Sequence, residues 1–191
     1  MKLKRLKILF IAFIFPVSFF YCTNKYTPKP LGYFRIDLPQ KEYVEYTSQC
    51  PFVFQYPKYG EIEVSQDNEP CWFNISFPKY NGKIYLSYKH IEDNLPILTE
   101  DTRKLTYKHT IKAEAIQEKI YADANKNVYG MLYEVKGNAA SSVQFYLTDS
   151  SQHFLRGSLY FNAQPNKDSL APVIDFFKED IVHIMETISW K

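Results

Sequence analysis

Cys22, Cys50 and Cys71 are the residues best equipped for chemistry in this sequence, and their surroundings divide them into two kinds. Cys22 closes an apolar run, Ile8 to Phe20, that follows Lys2, Lys4, Arg5 and Lys7. A basic start and a run shorter than the ~20 residues of a membrane-spanning helix make an export signal. A cysteine at its end is the residue that a bacterial lipoprotein signal presents for acylation. Its thiol takes diacylglycerol with palmitate-type chains, and it becomes the first residue of the mature protein. Tyr21 stands where a lipobox has a small residue, so an uncleaved N-terminal anchor and ordinary cleavage are the alternatives. No A-x-A-like cleavage site supports the latter. Each route leaves the rest of the chain outside the cytoplasm.

Cys50 and Cys71 are then a pair in a compartment where disulfides persist, and a bond between them is expected. A metal or redox pair is the rival, but there is no Cys-x-x-Cys spacing and no histidine cluster nearby. His90, His109, His153 and His183 lie apart, with no H-E-x-x-H, so no metal site is expected. The six glycines, at 32, 60, 82, 130, 137 and 157, are too scattered for a phosphate-cradling loop or a dinucleotide fingerprint, and no cofactor is expected. Asp149, Ser150 and His153 suggest a hydrolase, yet a working triad is assembled from distant segments around an oxyanion hole. Turn chemistry accounts for the same residues. With Arg156, this stretch also joins charge, hydrogen-bonding capacity and the apolar Phe154 and Leu155, a mixture found at interfaces, so Asp149, Ser150, His153 and Arg156 form a candidate partner surface. Asp168-Ser169-Leu170 fits a short acidic-hydroxyl-aliphatic pattern for O-glycosylation on Ser169; helix capping by Asp168 or Ser169 explains the same residues.

The elements that must position these groups read as β first and mixed later. Residues 1–21 are the signal, and 22–31, polar with Pro28 and Pro30, form a tether of about 30 Å at most. Residues 32–191 form one domain. It opens with an extended stretch, Gly32 to Pro39, followed by strand-like runs at 52–56, 60–64, 72–77 and 83–88. A surface helix over 99–116 rests on Leu98, Thr102, Leu105 and His109 at steps of three and four. Strands are expected at 118–122 and 128–135, then a hairpin of 143–147 with 154–161 turning through Thr148 to Gln152. Apolar residues fall on both faces of that hairpin, so both need cover. Leu170, Val173, Ile174, Phe177, Ile181, Ile184, Met185 and Ile188 make the stripe of a closing amphipathic helix, with Pro172 in its first turn.

Composition narrows the function. Of 23 Lys and Arg, four lie in the signal; the remaining 19 face 21 Asp and Glu, so the formal +2 becomes −2. A fold without clustered positive charge has no electrostatic grip on nucleic acid. Tyr and Phe, 16 and 15, dominate the aromatics and favour strands with partly exposed aromatic faces.

GYFRIDLP, CPFVFQYPKYG, CWFNISFPKYNGKIYLSYKHI, GNAASSVQFYLTDSSQHFLRGSLYFN and the terminal METISW together resemble the gliding-motility lipoprotein family GldD, from about Gly32 to Trp190. The stretch from Gly137 to Asn162 is the most specific. The resemblance implies a cell-envelope lipoprotein, membrane-anchored and facing the periplasm, required for gliding and for the type IX secretion machinery. It implies protein partners from that machinery and no catalytic residues. The element order also resembles the PsbP-like αβα sandwich, an α+β fold in which helices cover both faces of an antiparallel sheet; this analogy concerns fold alone. Two functions compete: non-enzymatic assembly or stabilisation of the machinery, and a periplasmic module binding a small ligand or glycan through exposed Tyr and Phe.

Overall fold

Alternation of apolar and polar residues over most of the chain builds a seven-stranded antiparallel sheet. The computed structural model describes residues 36–65, 69–108 and 112–191. Its elements are β1 (Tyr43–Tyr46), β2 (Phe52–Pro57), β3 (Glu61–Val64), β4 (Phe73–Phe77), β5 (Gly82–His90), α1 (Leu95–Tyr107), β6 (Ala113–Asp123), β7 (Val128–Gly137), β8 (Ser141–Thr148), β9 (His153–Phe161), α2 (Lys167–Thr187) and β10 (Ser189–Trp190). The large sheet runs β3-β4-β5-β9-β8-β7-β6, and a small sheet runs β1-β2-β10. The architecture is α+β with helices on both faces of the large sheet.

One face of the large sheet carries Phe73, Ile75, Phe77, Ile84, Leu86, Phe145, Leu147, Leu155 and Leu159, all buried. It meets the α2 stripe of Val173, Phe177, Ile181, Ile184 and Met185, together with Phe52 and Phe54 of β2. Phe177 lies 4.3 Å from Phe77 and Phe54 lies 5.9 Å from Phe73, ring centre to ring centre. Packing needs one bare position: a Cβ on Gly157 would stand 2.2 Å from the Phe145 ring, so only glycine lets that ring lie across β9. The opposite face is covered in part by α1, where Leu98 packs with Ile91 and Phe154. Thr102 and Thr106 are buried there, each donating its hydroxyl to the carbonyl four residues back.

Asp180 is a carboxylate on the apolar side of α2, wholly buried. It accepts hydrogen bonds from Lys41 Nζ at 2.7 Å, Tyr43 at 3.0 Å and Tyr59 at 2.5 Å. A buried charge is tolerable only when paired and hydrogen-bonded in this way. The cluster ties the segment before β1, β1 itself and the turn after β2 to one point on α2.

Several sequence boundaries change. The first helix starts at Leu95 and ends at Tyr107, because Pro96 suits a first turn and residues from Ala113 are claimed by pairing with β7. His109 lies outside the described residues. The cap of α2 is Asn166, whose side chain accepts the Asp168 and Ser169 N–H groups, so Pro172 falls inside the helix beyond its first turn. β1 and β10 carry too few residues to show a period, and only their pairing with β2 defines them.

Candidate functional site

Cys22 lies outside the described residues. Cys50 and Cys71 are joined by a disulfide with their Cα atoms 5.6 Å apart, fastening the entry of β2 to the approach to β4. Ser169 is exposed in the first turn of α2.

The four hairpin residues do not converge. Asp149 folds the turn: its Oδ1 accepts the backbone N–H groups of Ser151, Gln152 and His153 at 3.0, 2.8 and 2.8 Å. Burial pushes its pKa up, but the N–H groups of His153, Gln152 and Ser151 outweigh it and bring the carboxyl down to about 2. Ser150 takes a left-handed φ of 69° in the same turn. His153 is buried on the α2 side, stacked on Trp190 at 5.1 Å, and its Nδ1 lies 2.8 Å from the Tyr88 hydroxyl. Its imidazole is therefore engaged by a tyrosine rather than by Asp149 or Ser150, which leaves no triad. Burial lowers its pKa, against the pull of Asp149. Arg156, three residues on, projects from the opposite face.

That opposite face holds the site which sequence reading missed. Strand register sets Asn74, Tyr85, Ser158, Gln144, Tyr133 and Glu118 side by side across six strands. The neighbouring row pairs Ser87 with Arg156 and Arg156 with Tyr146. Helix α1 covers the β8 end of these rows. Over β4, β5 and β9 the face is open and forms a groove of about 770 Å³. Its lining includes Asn74, Ser76, Lys83, Tyr85, Ser87, Arg156, Ser158 and Tyr160, with Trp72, Asn81 and Asn162 at its margins. Tyr85, 45% exposed, meets Tyr160 edge to face at 5.5 Å.

Among the described residues no Asp or Glu lines this groove, although Glu63 stands beside it on β3, in register with Asn74. Lys83 is paired with Glu63 at 2.6 Å. Arg156 makes no ion pair among the described residues; its Nη2 donates to Gln144 Oε1 at 2.8 Å. Gln144 is fully buried, and its Oε1 also accepts from Thr106 at 3.3 Å. Arg156 Nε and Gln144 Nε2 are buried donors with no acceptor among the described residues. Burial lowers the Arg156 pKa, with Tyr160 acting in the other sense. The groove therefore combines a guanidinium without an ion pair among the described residues, neutral hydroxyls and amides, and aromatic faces, which is equipment for recognition. Sequence alone isolated Arg156 but not its neighbours, since the strand order β4-β5-β9-β8 is invisible in a linear chain. Among the described residues no group of three His, Cys, Asp or Glu could hold a metal, and no helix is long and apolar enough to cross a membrane.

Comparison with known proteins adds two findings. The sequence model of a family described as "Gliding motility lipoprotein GldD" matches residues 23–190. Among solved structures, "Solution Structure of Cyanobacterial PsbP (CyanoP) from Synechocystis sp. PCC 6803" is similar with a TM-score of 0.50 and 11% identity, covering 85% of this chain and 100% of that one. At that identity the likeness is one of fold. No curated protein matches the sequence.

Proposed function

The chain belongs to the gliding motility lipoprotein family GldD, and from that premise we propose that it serves gliding and the linked type IX secretion machinery non-enzymatically, by assembling or stabilising envelope components. The match over residues 23–190 carries this reading, because it takes in all but one of the described residues. In this proposal Cys22 holds the protein in a membrane of the cell envelope through lipid, residues 23–31 act as the tether, and the domain faces the periplasm. The disulfide fits an oxidising compartment. An exposed hydroxyl on Ser169 fits O-glycosylation there, which the intact mass of native protein would display as added hexose.

Deletion of the gene should stop spreading on agar and lower the export of type IX substrates, with recovery on supply of the wild-type chain. Mild crosslinking in membranes should recover envelope proteins of the same machinery. Normal gliding and secretion in the deletion strain would overturn the proposal.

A second reading, as a binding module for a small ligand or glycan, is favoured by one specific observation. The groove over β4, β5 and β9 has the volume of a small-molecule site and a lining of polar and aromatic groups.

A further inference from the structure

The groove on the open face of the large sheet has a definite chemical preference. Its floor is a sheet face whose backbone groups are spent in the β4-β5-β9 ladder, so a ligand meets side chains rather than strand edges. This disfavours an extended peptide adding itself as a strand, which needs an unpaired edge. The polar side chains on offer are Asn74 and Ser87, an amide and a hydroxyl suited to a polyhydroxy ligand, beside the half-exposed Tyr85 ring, while Ser76 and Ser158 are buried in the floor. Sugar rings present apolar C–H faces that lie on such aromatic surfaces, and their hydroxyls match a polar floor.

One group gives the site a charge requirement. Among the described residues Arg156 lines the groove without a carboxylate partner, and none of them puts an acidic side chain in its lining. Gln144, buried behind it and held by Thr106, fixes the guanidinium through Oε1, so Gln144 is a positioning residue. A guanidinium has five N–H donors in a planar fork that matches a carboxylate. Arg156 is partly exposed, and guanidinium N–H groups not spent on Gln144 are donors that an incoming oxyanion can accept from.

We propose that this groove binds an acidic saccharide, with the Arg156 guanidinium taking the sugar carboxylate, Tyr85 lying against a ring face, and Asn74 and Ser87 meeting hydroxyls. The proposal deepens the ligand-binding reading and does not depend on the gliding role.

Ser87 supplies a test that keeps the fold intact. It is the register partner of Arg156 on β5, where directly opposed side chains meet. Ser87→Asp sets a carboxylate beside the guanidinium and competes with any bound one, while pairing a lone charge. The full chain, purified in detergent, is titrated with digalacturonic acid, with galactobiose as the neutral counterpart, with inorganic phosphate and with an acidic peptide. Trp72 fluorescence reports occupancy, since Trp72 lies at the groove margin. The acidic disaccharide should bind at least tenfold more tightly than galactobiose, phosphate or the peptide, and added salt should weaken it. Ser87→Asp and Arg156→Gln should each lower its affinity at least tenfold, and Tyr85→Ala several-fold, with Ser87→Asp keeping the wild-type melting temperature. Equal binding of the acidic and neutral sugars, phosphate or peptide binding as tightly, or unchanged affinity in Ser87→Asp would each overturn the proposal. Loss of sugar binding in Ser87→Asp with normal motility would separate this site from the gliding role.

Discussion

The Tyr59 hydroxyl donates to Asp180 Oδ2 across 2.5 Å, tying the turn after β2 to the buried middle of α2. Asp180→Ala removes the acceptor for Tyr59, Tyr43 and Lys41 together and leaves the lysine without its buried partner. Loss of one member of such a pair costs about 3–5 kcal/mol, whereas Tyr59→Phe, which leaves two donors, should cost about 1–3 kcal/mol. Urea titration of both variants checks the order. The reverse order would mean that the carboxylate is dispensable.

The same cluster sets an alkaline limit. Burial first, then the Asp180 carboxylate, pushes the Tyr59 and Tyr43 pKa values above their ordinary one, and burial raises Tyr133 to about 12. These phenols stay protonated in the fold at pH values where the unfolded chain ionises them. Their contribution is complete below about pH 10 and is lost as pH rises from there through the folded values. Melting temperature should fall steeply above pH 10 in the wild type and less steeply in Tyr59→Phe.

Cys50 and Cys71 close a loop of 21 residues, and the chain-entropy relation gives roughly 3.4 kcal/mol for that closure. Replacing both cysteines with serine should lower the denaturation midpoint accordingly, and reductant should reproduce the shift in the wild type alone. An equal effect of reductant on the double variant would show that the bond is not its target.

In the hairpin, Asp149→Ala should cost about 1–3 kcal/mol, because three backbone N–H groups lose their acceptor. With the folded carboxyl near pH 2, this contribution is present above the unfolded value of about 4 and lost as pH falls from 4 to 2. His153 works higher on the scale: its folded pKa is lowered, so the unfolded chain gains a proton first and stability declines as pH drops below about 6.5. His153→Ala should lower the melting temperature at pH 8 by losing its contact with Trp190. Acid titrations of the two variants separate these windows.

Cys22→Ala should release the protein from membranes or arrest its processing, since buried acyl chain supplies ~0.8 kcal/mol per methylene. Fractionation with mass analysis of the N-terminus reads the result. Unchanged membrane association with an intact leader would favour an uncleaved anchor over lipidation.

The alternation of β2, β4, β5, β8 and β9 and the stripe of α2 were legible because each buries a regular face. The Asp180 cluster left a clue: position 180 falls between Phe177 and Ile184 on the apolar stripe, where a carboxylate must find donors. Those donors come from residues 41, 43 and 59, and nothing local announces them. Arg156 and His153 look like neighbours on paper, yet an odd spacing within a strand sends them to opposite faces. The open groove depended on strand order, which long-range pairing decides.

β10 adds only two residues to the small sheet, yet Ser189 and Trp190 pair with Val53 and Phe52 near the other end of the fold. That closure spans more than 130 positions of chain, so the small sheet cannot be completed before the C-terminal segment is in place. Contacts so distant in sequence form late and slow folding. β10 thus closes the small sheet from residues 189–190, with Trp190 stacked on His153 at 5.1 Å.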